Sequence, residues 1–233
     1  MKRSNTKNLR VLYEDNHLLA VNKYPGDIVQ GDKTNDEPLV EIVRTWIKEK
    51  YNKSGNVFCG LIHRIDRPVS GIVFFAKTSK ALSRMDKMFA SREVQKTYWA
   101  IVENQPEQDE AVLIDWLMRN RQNNKSFVTQ KKEKPAKKSE LSYKVVGKGD
   151  RYVYLEVVPK TGRHHQIRVQ LKNNGTVIKG DLKYGAKRSN KDGSICLHAR
   201  QIEFIHPVSK EPVKVVATPP EDVLWNDFLD QAN

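Results

Sequence analysis

Three segments of this sequence place residue types at spacings that can do chemistry. In His63-Arg64-Ile65-Asp66-Arg67-Pro68-Val69-Ser70-Gly71 one carboxylate sits among two arginines and a histidine, ahead of a proline break and an apolar run. Cations in contact favour the ionised form of Asp66 by about one to three pK units, and a sheltered carboxylate that stays charged can attack carbon. The same residues would equally build an ion pair at a strand end. In Thr161-Gly162-Arg163-His164-His165-Gln166-Ile167-Arg168-Val169, Gly162 permits a tight turn, and the donors of a starting helix together with Arg163 suit a phosphate. If the helix holds, Arg168 lies one turn beyond His164 on the same side; the alternative is an amphipathic helix with solvated arginines. In Lys96-Thr97-Tyr98-Trp99-Ala100, two adjacent aromatics in a strand face opposite sides, so one can pack inward while the other meets a ligand.

Other chemistries are disfavoured. His63, Asp66, His164 and His165 are the candidate metal ligands, but adjacent histidines on a helix point in different directions and the neighbouring arginines repel a cation, so no metal site is expected. Cys59 lies in an apolar run that raises a thiol pKa, which reads as a buried inert thiol rather than a nucleophile paired with His63.

The elements that must position these segments are legible in the patterning. Residues 9–13 and 18–22 read as strand, turn, strand. From Leu39 the apolar positions Leu39, Ile42, Val43, Trp46 and Ile47 follow helical spacing. Gly71–Ala76 is a short buried strand, and Thr78 or Ser79 caps a helix with Ala81, Leu82, Met85, Met88 and Phe89 on one face. Strands follow at 98–102, 143–146, 152–158, 201–205 and 213–217, with a helix opening near Gly162 and ending at Asn173-Asn174-Gly175, and a last helix from Pro219-Pro220. Residues 119–139 lose apolar periodicity and carry five lysines between 131 and 138, an exposed basic loop or hairpin. Strands outnumber helices and many are joined by short turns. The expectation is therefore an α+β fold, a mixed, mostly antiparallel sheet with packed helices, in a single domain over 9–230 behind a basic tail at 1–8.

The chain has 233 residues, enough for a sizeable core, and its 41 Lys and Arg against 28 Asp and Glu give a net charge of +13. Such an excess points to polyanionic partners, above all nucleic acid. Two distant cysteines support neither a disulfide framework nor a thiolate zinc site, and a reducing compartment, the cytoplasm, is the simplest setting. No run approaches a membrane-spanning length, so neither membrane insertion nor a membrane partner is expected.

Taken in order, the segments resemble the RluA-type family of pseudouridine synthases. HRIDRPVSG is similar to that family's His-Arg-Leu-Asp signature, with Asp66 at the catalytic position; KTYWAIV resembles its Lys-x-Tyr segment and TGRHHQIRVQL its Thr-Gly-Arg-x-His-Gln-Ile-Arg block. Gly180-Asp181-Leu182-Lys183-Tyr184-Gly185, Leu197-His198-Ala199 and His206-Pro207 match later blocks, and the resemblance covers about residues 9–218. It implies a cofactor-free isomerase, monomeric by default, that converts selected uridines of structured tRNA or ribosomal RNA to pseudouridine. Asp66 would be the nucleophile, attacking the ribose or assisting through a glycal, with Arg168 paired to it and Tyr98 stacked on the flipped base. Substrate contacts would fall to Arg64, His63, Arg67, Arg163, His165, Gln166 and Leu197. The family's Asn-Lys-Pro-x-Gly turn reads Asn22-Lys23-Tyr24-Pro25-Gly26 here, and Val69 stands where Thr is commoner. Because the first hairpin begins by residue 9, the small RNA-binding domain that precedes many relatives' catalytic domain is not expected here.

Overall fold

The computed structural model describes residues 3–32, 34–129 and 135–232. Among these the chain forms β1 (Val11–Glu14), β2 (Leu18–Lys23), α1 (Leu39–Lys50), β3 (Gly60–Leu61), β4 (Ser70–Ala76), α2 (Ser79–Ser91), β5 (Gln95–Val102) and β6 (Glu110–Asn120). It continues through β7 (Lys125–Thr129), β8 (Lys137–Lys148), β9 (Val153–Pro159), α3 (Gln166–Asn173), a 3-10 turn (Leu182–Tyr184), β10 (Leu197–Ile205), β11 (Pro212–Val216) and α4 (Val223–Ala232). The architecture is α+β, and the chain divides into two compact units, one of residues 1–95 and 199–219, the other of 96–198 and 220–233.

In the first unit β2 pairs antiparallel with β1 on one side and with β4 on the other, and β4 neighbours β10, which forms a hairpin with β11. Every residue of β2 and β4 is buried, which is why Leu18–Val21 and Ile72–Ala76 read as unbroken apolar runs rather than alternating ones. One core gathers Leu18, Ala20, Ile72 and Phe74 with Ala81 and Met85 of α2 and with Ile202, Phe204, Val213 and Val215 of the β10–β11 hairpin. Thr78 caps α2 by accepting from the Ala81 amide at 3.2 Å. Gly71 is required twice over: its φ is +112°, and a Cβ there would sit 2.3 Å from the Ala199 carbonyl oxygen.

In the second unit β5, β9, β8, β6 and β7 lie side by side, every pair antiparallel. Trp99 and Tyr154 meet Phe228 of α4 at 4.4 and 5.0 Å between ring centroids, so the last helix closes one end of this sheet. Leu117 and Val128 pack with Val169 and Tyr184 on the other face. Of the two forms expected for the basic stretch, loop or hairpin, the described part is a hairpin: β6 runs to Asn120 and pairs with β7 from Trp116↔Thr129 to Asn120↔Lys125. The alternation of Ser126 and Val128 inward with Lys125 and Phe127 outward is too short to stand out amid the charges. Strand β8 likewise begins six residues earlier than the patterning suggests, at Lys137. Lysines 131, 132 and 134 of the basic run lie outside the described residues.

Candidate active site

Asp66 lies in the segment that joins β3 to β4. Its carbonyl accepts from the Val69 amide at 3.0 Å, closing a turn with Arg67 and Pro68 at the corners. The turn is clamped from below by Lys23, the last residue of β2, which pairs with Gly71 at the start of β4. Lys23 is wholly buried, and its Nζ donates to three backbone carbonyls, those of Tyr24 at 2.9 Å, Asp27 at 2.9 Å and Arg67 at 3.0 Å. The Arg67 carbonyl also accepts from the Gly26 amide at 2.8 Å. Burial pulls the Lys23 ammonium down to about 7, against the opposing pull of the Asp27 and Asp66 carboxylates. Lys23 therefore fixes the backbone next to Asp66 and couples electrostatically to that carboxylate.

The turn 24–27 forms with tyrosine at 24 and proline one position later than in the family's pattern. Gly26 takes φ +96°, the Asp27 amide donates to the Tyr24 carbonyl at 3.3 Å, and the Arg10 guanidinium covers the Tyr24 ring at 3.7 Å. Asp27 is held in turn by the Ser4 hydroxyl at 2.7 Å.

The other polar residues of the segment have definite places. His63 Nε2 accepts the Phe74 amide at 3.1 Å, so that nitrogen carries no proton, and its ring stacks on Phe89 of α2 with centroids 5.1 Å apart. Arg67 reaches Asp36 at 2.5 Å and the Thr34 hydroxyl at 3.2 Å, while Arg64 is exposed. Cys59 is buried, and desolvation lifts its thiol to about 12, which leaves it inert as a nucleophile.

In the second unit the helix after the Thr-Gly-Arg block starts later than its spacing suggests. Helix α3 opens at Gln166, and His165 before it takes the left-handed conformation, φ +54°. The reason is Gln166: its side-chain oxygen accepts from the Thr161 hydroxyl at 2.7 Å and the Arg163 amide at 3.0 Å, while its nitrogen donates to the Glu140 carbonyl at 3.1 Å. These bonds wind 161–165 into a loop and use the Arg163 amide internally rather than leaving it for a phosphate. The side chain of Arg163 donates to the Lys138 carbonyl at 3.3 Å. Because both histidines precede the helix, their rings do not diverge as a helical reading requires but stack, centroids 3.8 Å apart. His164 Nδ1 lies 2.9 Å from the Ser126 hydroxyl and His165 Nδ1 2.9 Å from the Tyr184 hydroxyl.

Arg168 projects from the first turn of α3 and is buried. Its Nε and Nη2 each lie 2.7 Å from one oxygen of Asp181, a bidentate fork, and its guanidinium sits 5.1 Å from the Tyr184 ring. Asp181 thus sets the guanidinium plane. In β5, Trp99 is buried on α4 and Tyr98 is half-buried, as expected of neighbouring strand residues on opposite faces; burial depresses the Lys96 ammonium. Leu197, the first residue of β10, is buried. Among the described residues no group of three or more His, Cys, Asp or Glu side chains is arranged to hold a metal ion, and no helix is long and apolar enough to cross a membrane.

Two positioning residues escaped the sequence reading, Lys23 and Asp181. Each had a signal: a lysine ending the apolar run Leu18–Lys23, and an aspartate between a glycine and the apolar Leu182 in a block already singled out.

A tRNA pseudouridine synthase C of Vibrio cholerae is 30% identical over 96% of this chain and 95% of its own length. A ribosomal large subunit pseudouridine synthase C of Vibrio vulnificus is 33% identical over 89% of this chain, which spans 64% of that longer protein. The solved structure of human RNA pseudouridylate synthase domain containing 4 superposes with a TM-score of 0.79 over 97% of this chain and 95% of its own, at 22% identity, and so shares the fold. The RNA pseudouridylate synthase family model matches residues 17–173, a span that holds Asp66, Tyr98 and Arg168, and the chain belongs to that family of isomerases.

Proposed function

We propose that this protein isomerises particular uridines of structured tRNA or ribosomal RNA to pseudouridine in the cytoplasm, with Asp66 acting at the ribose of a flipped target nucleotide. The observation that supports this most directly is the clamp on the Asp66 turn: three backbone carbonyls on one buried ammonium, one of them belonging to the residue after Asp66. A turn so held keeps its carboxylate in place without spending substrate binding energy on ordering it.

The bond between C1′ and N1 breaks and uracil leaves as a delocalised anion, so no second carboxylic acid is needed to protonate it. The Asp66 carboxylate either bonds to C1′ or removes a ribose proton to give a glycal. The uracil turns while bound and C5 joins C1′ as the Asp66–C1′ bond breaks or, on the glycal route, as the abstracted proton returns to the ribose; the proton on C5 is then lost and N1 is protonated, so Asp66 is regenerated and atoms balance with no cofactor. Tyr98 stacks on the extruded base and offsets part of the few kcal/mol that unstacking costs. Arg168, held flat by Asp181, stabilises the negative charge that develops. Arg64 and Arg163 contact the RNA backbone, and the +13 net charge draws the polyanion in. His63, His165 and Gln166 act through their loops, which their internal bonds shape, and Arg67 and Leu197 complete the substrate walls.

The test is Asp66→Asn. Tritium release from RNA labelled at uracil C5 should vanish while RNA affinity changes little, and retained turnover would end the assignment. The competing reading, an RNA-binding protein without activity, predicts no pseudouridine in any RNA tested.

A further inference from the structure

We propose that a groove on the first unit, between the second half of α2 and the turn of the β10–β11 hairpin, is a docking site for an acidic, apolar peptide segment of a partner protein. The groove is about 540 Å³ and is lined by Arg84, Lys87, Met88, Ile205, Pro207 and Val208, with Glu93 and Lys210 at its rim. Its charge is unbalanced. Arg84 Nη1 and Lys210 Nζ both point at the Pro207 carbonyl, at 3.5 and 3.4 Å, so the two cations lie less than 7 Å apart. Among the described residues no carboxylate lies within ion-pair distance of Arg84, Lys87 or Lys210, and Glu93 is engaged by the Ser91 hydroxyl at 2.5 Å. Two like charges held this close repel, and an anion between them relieves the repulsion.

The floor is apolar and open to solvent, Ile205 being 53% and Val208 38% exposed. Exposed aliphatic surface beside unpaired cations marks an interaction site, and the anion it suits carries apolar groups. An RNA strand fits it less well, because these floor residues offer no aromatic ring for a base to stack on. An Asp or Glu flanked by Leu or Phe satisfies both halves. The wall is also preformed. His206 Nδ1 accepts from the Val208 and Ser209 amides at 3.3 and 3.0 Å, and the His206 amide donates to the Glu211 carbonyl at 2.8 Å, so the turn pays little ordering entropy on binding.

The experiment is fluorescence anisotropy on the full chain with a short labelled peptide built only of Leu, Phe, Asp and Glu. Its control has Leu and Phe replaced by Ser. The expected result is saturable binding, about tenfold weaker for the control, and a loss of about tenfold in Arg84→Ala/Lys210→Ala and in Ile205→Ser. Lys144→Ala, an exposed lysine of the other unit, should bind as the parent does, and all variants should retain their circular dichroism and their turnover on RNA. Equal binding of the serine control, or undiminished binding by both groove variants, overturns the proposal. So does displacement of the peptide by a short single-stranded RNA together with a raised KM for substrate RNA in the same variants, which would assign the groove to RNA.

Discussion

The Arg168–Asp181 pair offers the sharpest separation of stability from chemistry. Both side chains are buried, at 5% and 1% exposure, and two bonds of 2.7 Å join them. Replacing Asp181 by Ala leaves a guanidinium in a low-dielectric interior with two of its donors deprived of their acceptor, which costs about 3–5 kcal/mol. For a chain of this length each kcal/mol lowers Tm by about 2–4 °C, so a fall of about 10 °C is expected. The paired change Arg168→Met/Asp181→Leu removes the charge and its partner together, and should recover most of that stability. It should not recover turnover if Arg168 works in the reaction. Urea unfolding of the parent, Arg168→Met, Asp181→Leu and the double variant gives the coupling energy, and tritium release on the same samples gives the chemistry. A loss below about 1 kcal/mol for Asp181→Ala, or a double variant no more stable than Asp181→Ala, would refute the energetic reasoning. A double variant with full turnover would refute the role given to Arg168.

Further outcomes follow from single features. Gly71→Ala meets both a positive φ and an approach of 2.3 Å to the β10 backbone, so it should destabilise by about 3 kcal/mol or more, readable as a shifted urea midpoint; an unchanged midpoint would show that the strands can part freely. Glu14, although burial raises its pKa, is brought down to about 2 by Lys50, Lys77 and Tyr51. The stability from that lowered pKa is present above the unfolded value near 4.5 and is lost as pH falls towards 2, and in Glu14→Gln this part of the acid dependence should disappear. Lys23 shows the same direction at higher pH, but because its shift comes from burial of the charged form it is a destabilising contribution that is relieved. Between about 7 and 10.5 the unfolded chain holds a proton that the folded one has released, so this residue's contribution to stability rises with pH across that window. Lys23→Met should be destabilised at pH 7 through three carbonyls left without their donor and should lack that rise; identical pH profiles for parent and variant would contradict it.

What the sequence by itself determined is local. The apolar runs of β2 and β4, the helical spacing from Leu39, the Thr78 cap and the Gly175 stop are each set by neighbours a few residues away, and all are found in place. The ordered motifs were equally legible because their chemistry is written in residue type. The sequence left loop and hairpin both open for 119–139 because Lys125–Thr129 shows too few alternating residues beside lysines and asparagines, and only pairing with β6 gives it an inward side. The late start of α3 was hidden because Gln166 makes its decisive bonds to Thr161 and to the carbonyl of Glu140, 26 residues away. Tertiary structure alone decided that Lys23 would hold the Asp66 turn and Asp181 would orient Arg168. An ion or a carbonyl finds its partner through space, across 44 residues in one case and 13 in the other, and no periodicity along the chain records that distance.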